Sequence, residues 1–247
     1  MSNILITGGT GVIGKILVRE MVKDGHCVLF TSRTVEKGSQ FIEEEIGLNA
    51  VCKAVSLDFL DLSKWDEWVA ALPFPVEAVI HNARSLDFLR PNEQGKITEG
   101  QFQKEFSLAV TKPYLLTNAL IDGGHPLRDI LFISSMYGVV GPTPRLYDDF
   151  HTQSPINYGV AKAAQVHLTK ELAVRLKDHG IRVNCVSYGG VKGRVNKAFE
   201  ERYNALTPMG RMLDSHDIYP PVQYIINNPK LAVTGQNIQV DGGWTIW

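Results

Sequence analysis

The sequence predicts an α/β fold, a doubly wound parallel sheet of about seven strands with helices on both faces. Three observations predict it. Short apolar, β-rich runs alternate with helical patterns along the whole chain, the order expected when a parallel sheet is covered on both sides. The first run passes through glycines straight into a helix, as ILITGGTGVIG. The 247 residues, 44% hydrophobic and 21% charged, can bury one large core, so residues 1–247 are read as a single domain.

The strands are placed at 4–7 (ILIT), 27–31 (CVLFT), 50–56 (AVCKAVS), 78–81 (AVIH), 129–134 (DILFIS), 182–187 (RVNCVS) and 237–240 (NIQV). Each is short and apolar or β-branched. Helical patterns lie between them at 14–23, 62–71, 99–121, 158–179 and 217–227. Three irregular stretches, 85–98, 141–155 and 189–208, each follow a strand at its carboxyl end. Open α/β sheets bind ligands there.

Composition excludes several classes of partner. Net charge is −1 with no block of like charge, so neither nucleic acid nor an anionic membrane is expected as partner. No apolar stretch approaches the length of a membrane span. The N-terminal apolar run breaks at once into glycines and reads as a first strand, so a cytoplasmic protein is expected. Cys27, Cys52 and Cys185 stand singly in apolar runs. Their spacing suits neither a metal site nor a disulfide framework, and no metal is expected.

The glycine run marks a phosphate cradle and gives the fold its Rossmann-like character. In Thr7–Gly14, glycines permit a tight turn, and backbone N–H groups can approach a pyrophosphate at the helix N-terminus. Gly8, Thr10, Gly11, Val12, Ile13 and Gly14 are the candidates. The second strand ends in Ser32 and Arg33, where a carboxylate would bind the 2′-OH of NAD. A hydroxyl and a guanidinium suit a 2′-phosphate, so NADP is favoured and NAD is the alternative. Asp58 and Phe59 follow the third strand, where a carboxylate can accept from an adenine amino group. Asn82, Ala83 and Arg84 follow the fourth, with Asn82 placed to brace the backbone.

Tyr158 and Lys162 stand four apart in YGVAK, so both project from one helix face. An ammonium beside a phenol favours the phenolate. Such a phenol can trade protons with an alcohol or carbonyl near neutral pH. Together with the glycine run, the pair points to a nicotinamide-dependent oxidoreductase.

These residues together resemble the short-chain dehydrogenase/reductase family, in its compact branch, over nearly the whole chain. ILFISSMYG resembles the family's serine strand, IRVNCVSYGGV its nicotinamide loop, and TGQNIQVDGGW its C-terminal strand and dimer-forming tail. The resemblance implies a small-molecule carbonyl/alcohol substrate and a homodimer or homotetramer. It implies that Tyr158 is the acid/base, that Lys162 lowers its pKa and holds the nicotinamide ribose, and that Ser135 bonds the substrate oxygen. The backbone of Val191 would bind the carboxamide.

The chain departs from the family's pattern at several positions. Ser107 stands where the family has an asparagine that steadies a relay water. Arg84 replaces a glycine and Tyr188 a proline. The stretch from Ser135 to Tyr158 is longer than usual, and YGVVGPTPRLYDDFHTQSPINY resembles members associated with flagellin modification and surface-sugar biosynthesis. That implies a sugar, sugar phosphate or nucleotide sugar. Arg84, Arg90, Arg145, Arg194 and Arg202 fall in or near the expected mouth, where converging arginines would suit a phosphate or carboxylate; the alternative is solvated loop charges. Two alternatives are a cofactor-binding regulator with little turnover, and a nucleotide-sugar epimerase or dehydratase.

Overall fold

The computed structural model describes residues 1–47, 51–61, 63–193 and 195–246. Among them seven strands form one sheet: β1 (Asn3–Ile6), β2 (Cys27–Ser32), β3 (Cys52–Ser56), β4 (Ala78–His81), β5 (Asp129–Ser135), β6 (Arg182–Tyr188) and β7 (Asn237–Val240). All pairings are parallel, in the order β3-β2-β1-β4-β5-β6-β7. The chain runs outward from β1 to β3, then crosses back to β4 on β1's other side. A crevice therefore opens above the carboxyl ends of β1 and β4.

Alternation along each strand divides the core between the two faces of the sheet. Ile4, Ile6, Val28, Phe30, Ala78, Ile80, Leu131 and Ile133 join one cluster, with α1 (Val12–Lys23), α2 (Val35–Phe41) and α9 (Tyr219–Ile226). Leu5, Leu29, Val79, Ile130 and Phe132 join the other, with α3 (Trp65–Ala70), α5 (Lys112–Asp122) and α7 (Ile156–Arg175). Burying each such side chain contributes roughly 1.5–3 kcal/mol. That double burial is why the strands read as unbroken apolar runs. A third, smaller cluster joins Met136, Leu146, Tyr203, Met212 and Trp244.

The differences from the sequence reading have local causes. Ala50 and Leu62, where one predicted strand and one predicted helix began, lie outside the described residues. The pattern read as a single helix over 99–121 is divided: α4 (Glu99–Phe106), a π turn (Ser107–Thr111), then α5. Pro113 stands at the start of α5, has no N–H, and cannot continue a regular ladder. The stretch 189–208, read as irregular, contains α8 (Lys197–Leu206), started by Asn196, whose side chain accepts from Phe199 N–H. It was illegible because Tyr203 is its only buried residue, which leaves no apolar stripe. The stretch 141–155 holds a 3₁₀ turn (Pro144–Leu146) and α6 (Phe150–Gln153), which starts at an Asp149 cap.

Candidate active site

The glycine turn is built to leave backbone donors facing the crevice. Gly8 has φ of 69°, and a Cβ there would lie 2.8 Å from Ala83 Cα. A Cβ on Gly14 would overlap Gly8 O. Asn82 braces the turn: its Nδ2 donates to Thr7 O and Gly8 O at 3.0 and 3.1 Å. Thr7 Oγ1 in turn accepts from the N–H groups of Asn82 and Ala83. α1 opens at Gly11 with no side-chain cap and no acid in its first turn. The N–H groups and positive dipole end of a 12-residue helix are thus left for an anion. Val12, Ile13 and Gly14 line a cavity of about 400 Å³ with Arg84, Tyr158 and Lys162. This cradle fits a dinucleotide pyrophosphate.

Beyond the turn, a cavity of about 430 Å³ is lined by Thr10, Ser32, Arg33, Lys37, Asp58 and Phe59, among others. Ser32 is buried, its Oγ 3.5 Å from Thr10 Oγ1. Arg33 is 71% exposed, with Asp87 Oδ2 3.8 Å from its Nη1. Asp58 is exposed, and its Oδ1 accepts from Leu60 N–H at 3.0 Å. Phe59 is buried against Trp65. Lys37, in the first turn of α2, was missed in the sequence.

At the other end, Ser135 closes β5, and its Oγ accepts from Tyr137 N–H at 3.2 Å. Tyr158 and Lys162 stand one turn apart on α7. The Arg84 guanidinium lies over the Tyr158 ring, 4.5 Å from its centroid. Such stacking helps hold a ring in place. The Lys162 ammonium donates to Ile133 O at 2.7 Å and to Gln165 Oε1 at 3.0 Å. Burial pulls the Lys162 pKa below the ordinary lysine range, while Tyr158 and Glu105 oppose that shift electrostatically. Gln165, three residues after Lys162, was missed by the sequence reading.

Ser135, Tyr158, Arg84 and Val191 line a cavity of about 260 Å³. Val191 forms an isolated parallel bridge with Leu213, whose bonds run from Leu213 N–H to Gly190 O and from Lys192 N–H to Leu213 O. The N–H and C=O of Val191 itself take no part in those bonds. Tyr147 and Phe199 stand on the outer wall, and Tyr188 and Tyr203 on the inner one. Tyr188 OH bonds Ile218 O, and Gly190 N–H donates to Tyr203 OH at 2.8 Å. Tyr137 and Tyr147 share a hydrogen bond of 2.7 Å, and burial raises both of their pKa values.

Other expected residues are placed elsewhere. Ser107 opens the π turn and is half-buried. The described arginines do not all converge. Arg84 lines both the pyrophosphate side and the cavity of Ser135, Arg90 lines the pyrophosphate side only, Arg145 is exposed, and Arg194 lies outside the described residues. Arg202 is tied to Leu146 O and to Asp148 Oδ1, both at 2.9 Å. Asp149 is occupied in capping α6. Of the aromatic residues of the 141–155 stretch, Tyr147 lines the cavity of Ser135, while Phe150 lines a second cavity of about 620 Å³ with His151, Ser154 and Tyr158. No helix of the described residues is long and apolar enough to cross a membrane.

Comparison with known proteins places this arrangement. Residues 2–204 match the family described as short chain dehydrogenase. The chain is similar to the oxidoreductase YmfI of Bacillus subtilis, 27% identical with 97% of each chain covered. It is also similar to post-translational flagellin modification protein A of Campylobacter coli, 34% identical over 116 residues, with 47% of this chain and 45% of that protein covered. Among solved structures, a short chain dehydrogenase from Leptospira borgpetersenii with bound NAD+ superposes with a TM-score of 0.83 at 26% identity, covering 99% of this chain and 92% of that one. With its crevice, glycine turn and Tyr158–Lys162 pair set in such a fold, the chain belongs to the short-chain dehydrogenase/reductase family, the oxidoreductases of CH–OH and C=O groups.

Proposed function

We propose that the chain is an NADP(H)-dependent reductase or dehydrogenase of a small, uncharged, ring-bearing carbonyl/alcohol pair, with Ser135, Tyr158 and Lys162 as its reaction centre. The observation that carries this is the meeting of two cavities at Tyr158: it lines the pyrophosphate cradle and the cavity of Ser135 alike. NADP is preferred because β2 ends in Ser32 and Arg33 with Lys37 alongside and no carboxylate of β2 opposing them. Two cations and a hydroxyl suit a 2′-phosphate.

When bound, the nicotinamide supplies or accepts the hydride. The chain does the rest. Backbone donors of Val12 and Ile13 would hold the pyrophosphate, and the N–H and C=O of Val191 the carboxamide. The Ser135 hydroxyl donates to the substrate oxygen, where charge develops. The Tyr158 hydroxyl passes its proton to that oxygen in reduction and takes it back in oxidation. Lys162, its ammonium held by two acceptors, keeps one donor for the ribose.

The substrate class follows from the lining. Tyr147 and Phe199 line the cavity with aromatic surface, while the hydroxyls of Ser135 and Tyr158 offer polar contacts. A neutral sugar with an apolar face fits this, and the partial likeness to the flagellin modification protein supports it. A sugar phosphate is disfavoured because, of the cations lining that cavity, Arg84 is stacked on Tyr158 and Lys192 is paired with Glu200 at 3.0 Å. A panel of cyclic ketones, keto-sugars, sugar phosphates and nucleotide sugars, each with NADPH and with NADH, tests the reading. Turnover confined to the phosphorylated substrates would overturn the substrate class, and a preference for NADH would overturn the cofactor.

Assembly into a homodimer or homotetramer belongs to the same reading. Ile156, Val160 and Val174 on α7 and Tyr114 on α5 are exposed apolar residues, as expected of helices that meet a second copy. Light scattering at the mass of one chain would remove it.

A further inference from the structure

The chain carries an unusual polar side chain beneath its reaction centre. Gln165 is 3% exposed, and both ends of its carboxamide are used. Its Oε1 accepts from Lys162 Nζ at 3.0 Å, and its Nε2 donates to Ala109 O at 3.1 Å. The two partners fix which way the amide points, since an ammonium has only donors and a carbonyl only accepts.

The Ala109 carbonyl is available for a chemical reason. In a regular α-helix it would accept from the residue four positions on. That residue is Pro113, which has no N–H. Pro113 thus withholds the α-helical donor from the Ala109 carbonyl, and Gln165 Nε2 on α7 donates to it. The ammonium is held from its other side by Ile133 O, on β5. Two of its three N–H groups are therefore committed, each to an anchored acceptor.

We propose that Gln165 is a positioning residue of the reaction centre: it clamps the Lys162 ammonium between β5 and the π turn, so that a single N–H is left, aimed toward Tyr158 and the cofactor. The proposal rests on the reading of Tyr158 and Lys162 as the reaction centre. The charged and titratable groups acting on Lys162 are Tyr158, Arg84, Glu105 and Cys185. Glu105 is buried, and its Oε2 has no partner among the described residues. Its own pKa is raised by burial, so it is a poor substitute for a fixed neutral acceptor.

Nuclear magnetic resonance of the lysine ammonium groups in the cofactor-free protein tests the clamp apart from activity. The Lys162 signal, identified by its loss in Lys162→Met, should exchange slowly with water in the parent. In Gln165→Leu it should broaden or vanish. In Gln165→Glu, which keeps an acceptor at Oε1, it should persist. In turnover, Gln165→Leu should lower kcat about tenfold through misplacement, with KM for the carbonyl substrate changed less than about twofold. Gln165→Glu should recover most of that loss, with the pH profile of kcat displaced because a carboxylate now faces Lys162. A merely structural role would lower thermal stability in both variants and leave the ammonium signal and the pH profile unmoved. An unchanged Lys162 signal in a folded Gln165→Leu overturns the clamp. Slow ammonium exchange lost in that variant, in a protein that reduces none of the carbonyls tried, would keep the clamp and overturn the reading of the function.

Discussion

At the carboxyl end of β5, Ser135 and Lys162 are each 7% exposed, and their polar atoms are tied to neighbouring groups. At the end of β2, Arg33 is 71% exposed with its nearest carboxylate at 3.8 Å, and Lys37 and Asp58 are exposed as well. One end of the crevice is thus fixed before any ligand arrives, and the other consists of charges in water. Fixed donors in a dry setting act strongly on developing charge. Solvated charges are screened, and each contributes little. Substitutions at the reaction end should therefore act on rate and be large. Those at the ribose end should act on cofactor choice and be small.

The largest effect is expected for Lys162→Met. Removing the ammonium strands two buried acceptors, Ile133 O and Gln165 Oε1, and takes the charge away from Tyr158. Turnover should fall ~10²–10⁴-fold, and NADPH should bind more weakly, which fluorescence titration would measure. Retention of both would mean that the buried end is scaffold and not machinery.

A middle effect is expected on stability, from His81 at the end of β4. It bonds Thr117 Oγ1 at 3.0 Å, stacks on Phe132, and burial pulls its pKa down to about 3. The ordinary histidine value is about 6.5. Between these two values the unfolded chain binds the extra proton. The contribution of His81 is complete above about pH 6.5 and is lost progressively as pH falls toward about 3. At about pH 5 the loss is ~2 kcal/mol. Urea midpoints at about pH 7.5 and pH 5 should show it in the parent, and His81→Gln should lack that part of the slope. Equal slopes in the two proteins would mean that the crevice floor is wetter than the structure shows.

The smallest effect is expected at the ribose end. The double variant Arg33→Ala, Lys37→Ala should weaken NADPH about tenfold, ~1.4 kcal/mol, and leave NADH within about twofold. Raising the salt concentration should shrink the difference. Equal losses for both cofactors would show that these cations serve the shared part of the dinucleotide.

The same contrast explains what could be read in the sequence. The sheet was legible because strands buried on both faces are nearly unbroken apolar runs, as in β1, β4 and β5. The glycine turn and Tyr158–Lys162 were legible because each is local, fixed by a spacing of a few residues. Gln165 was not legible. Its role depends on a carbonyl 56 residues away, freed by a proline that itself looks like an ordinary helix start. The Tyr137–Tyr147 pair depends on the fold of the intervening turn. Arg202 does not join Arg84 at the cavity because it finds Leu146 O and Asp148 first, a competition that charge patterning alone does not reveal.

The central claim is that Tyr158, in the buried half of the crevice, transfers the proton that accompanies hydride transfer. The most direct test is single-turnover oxidation of bound NADPH, followed by its absorbance, in the parent and in Tyr158→Phe with a turned-over ketone from the panel. The account predicts that the variant binds NADPH within about twofold of the parent and oxidises it at least ~10²-fold more slowly. Oxidation at the parent rate, with NADPH shown to be bound, would contradict it.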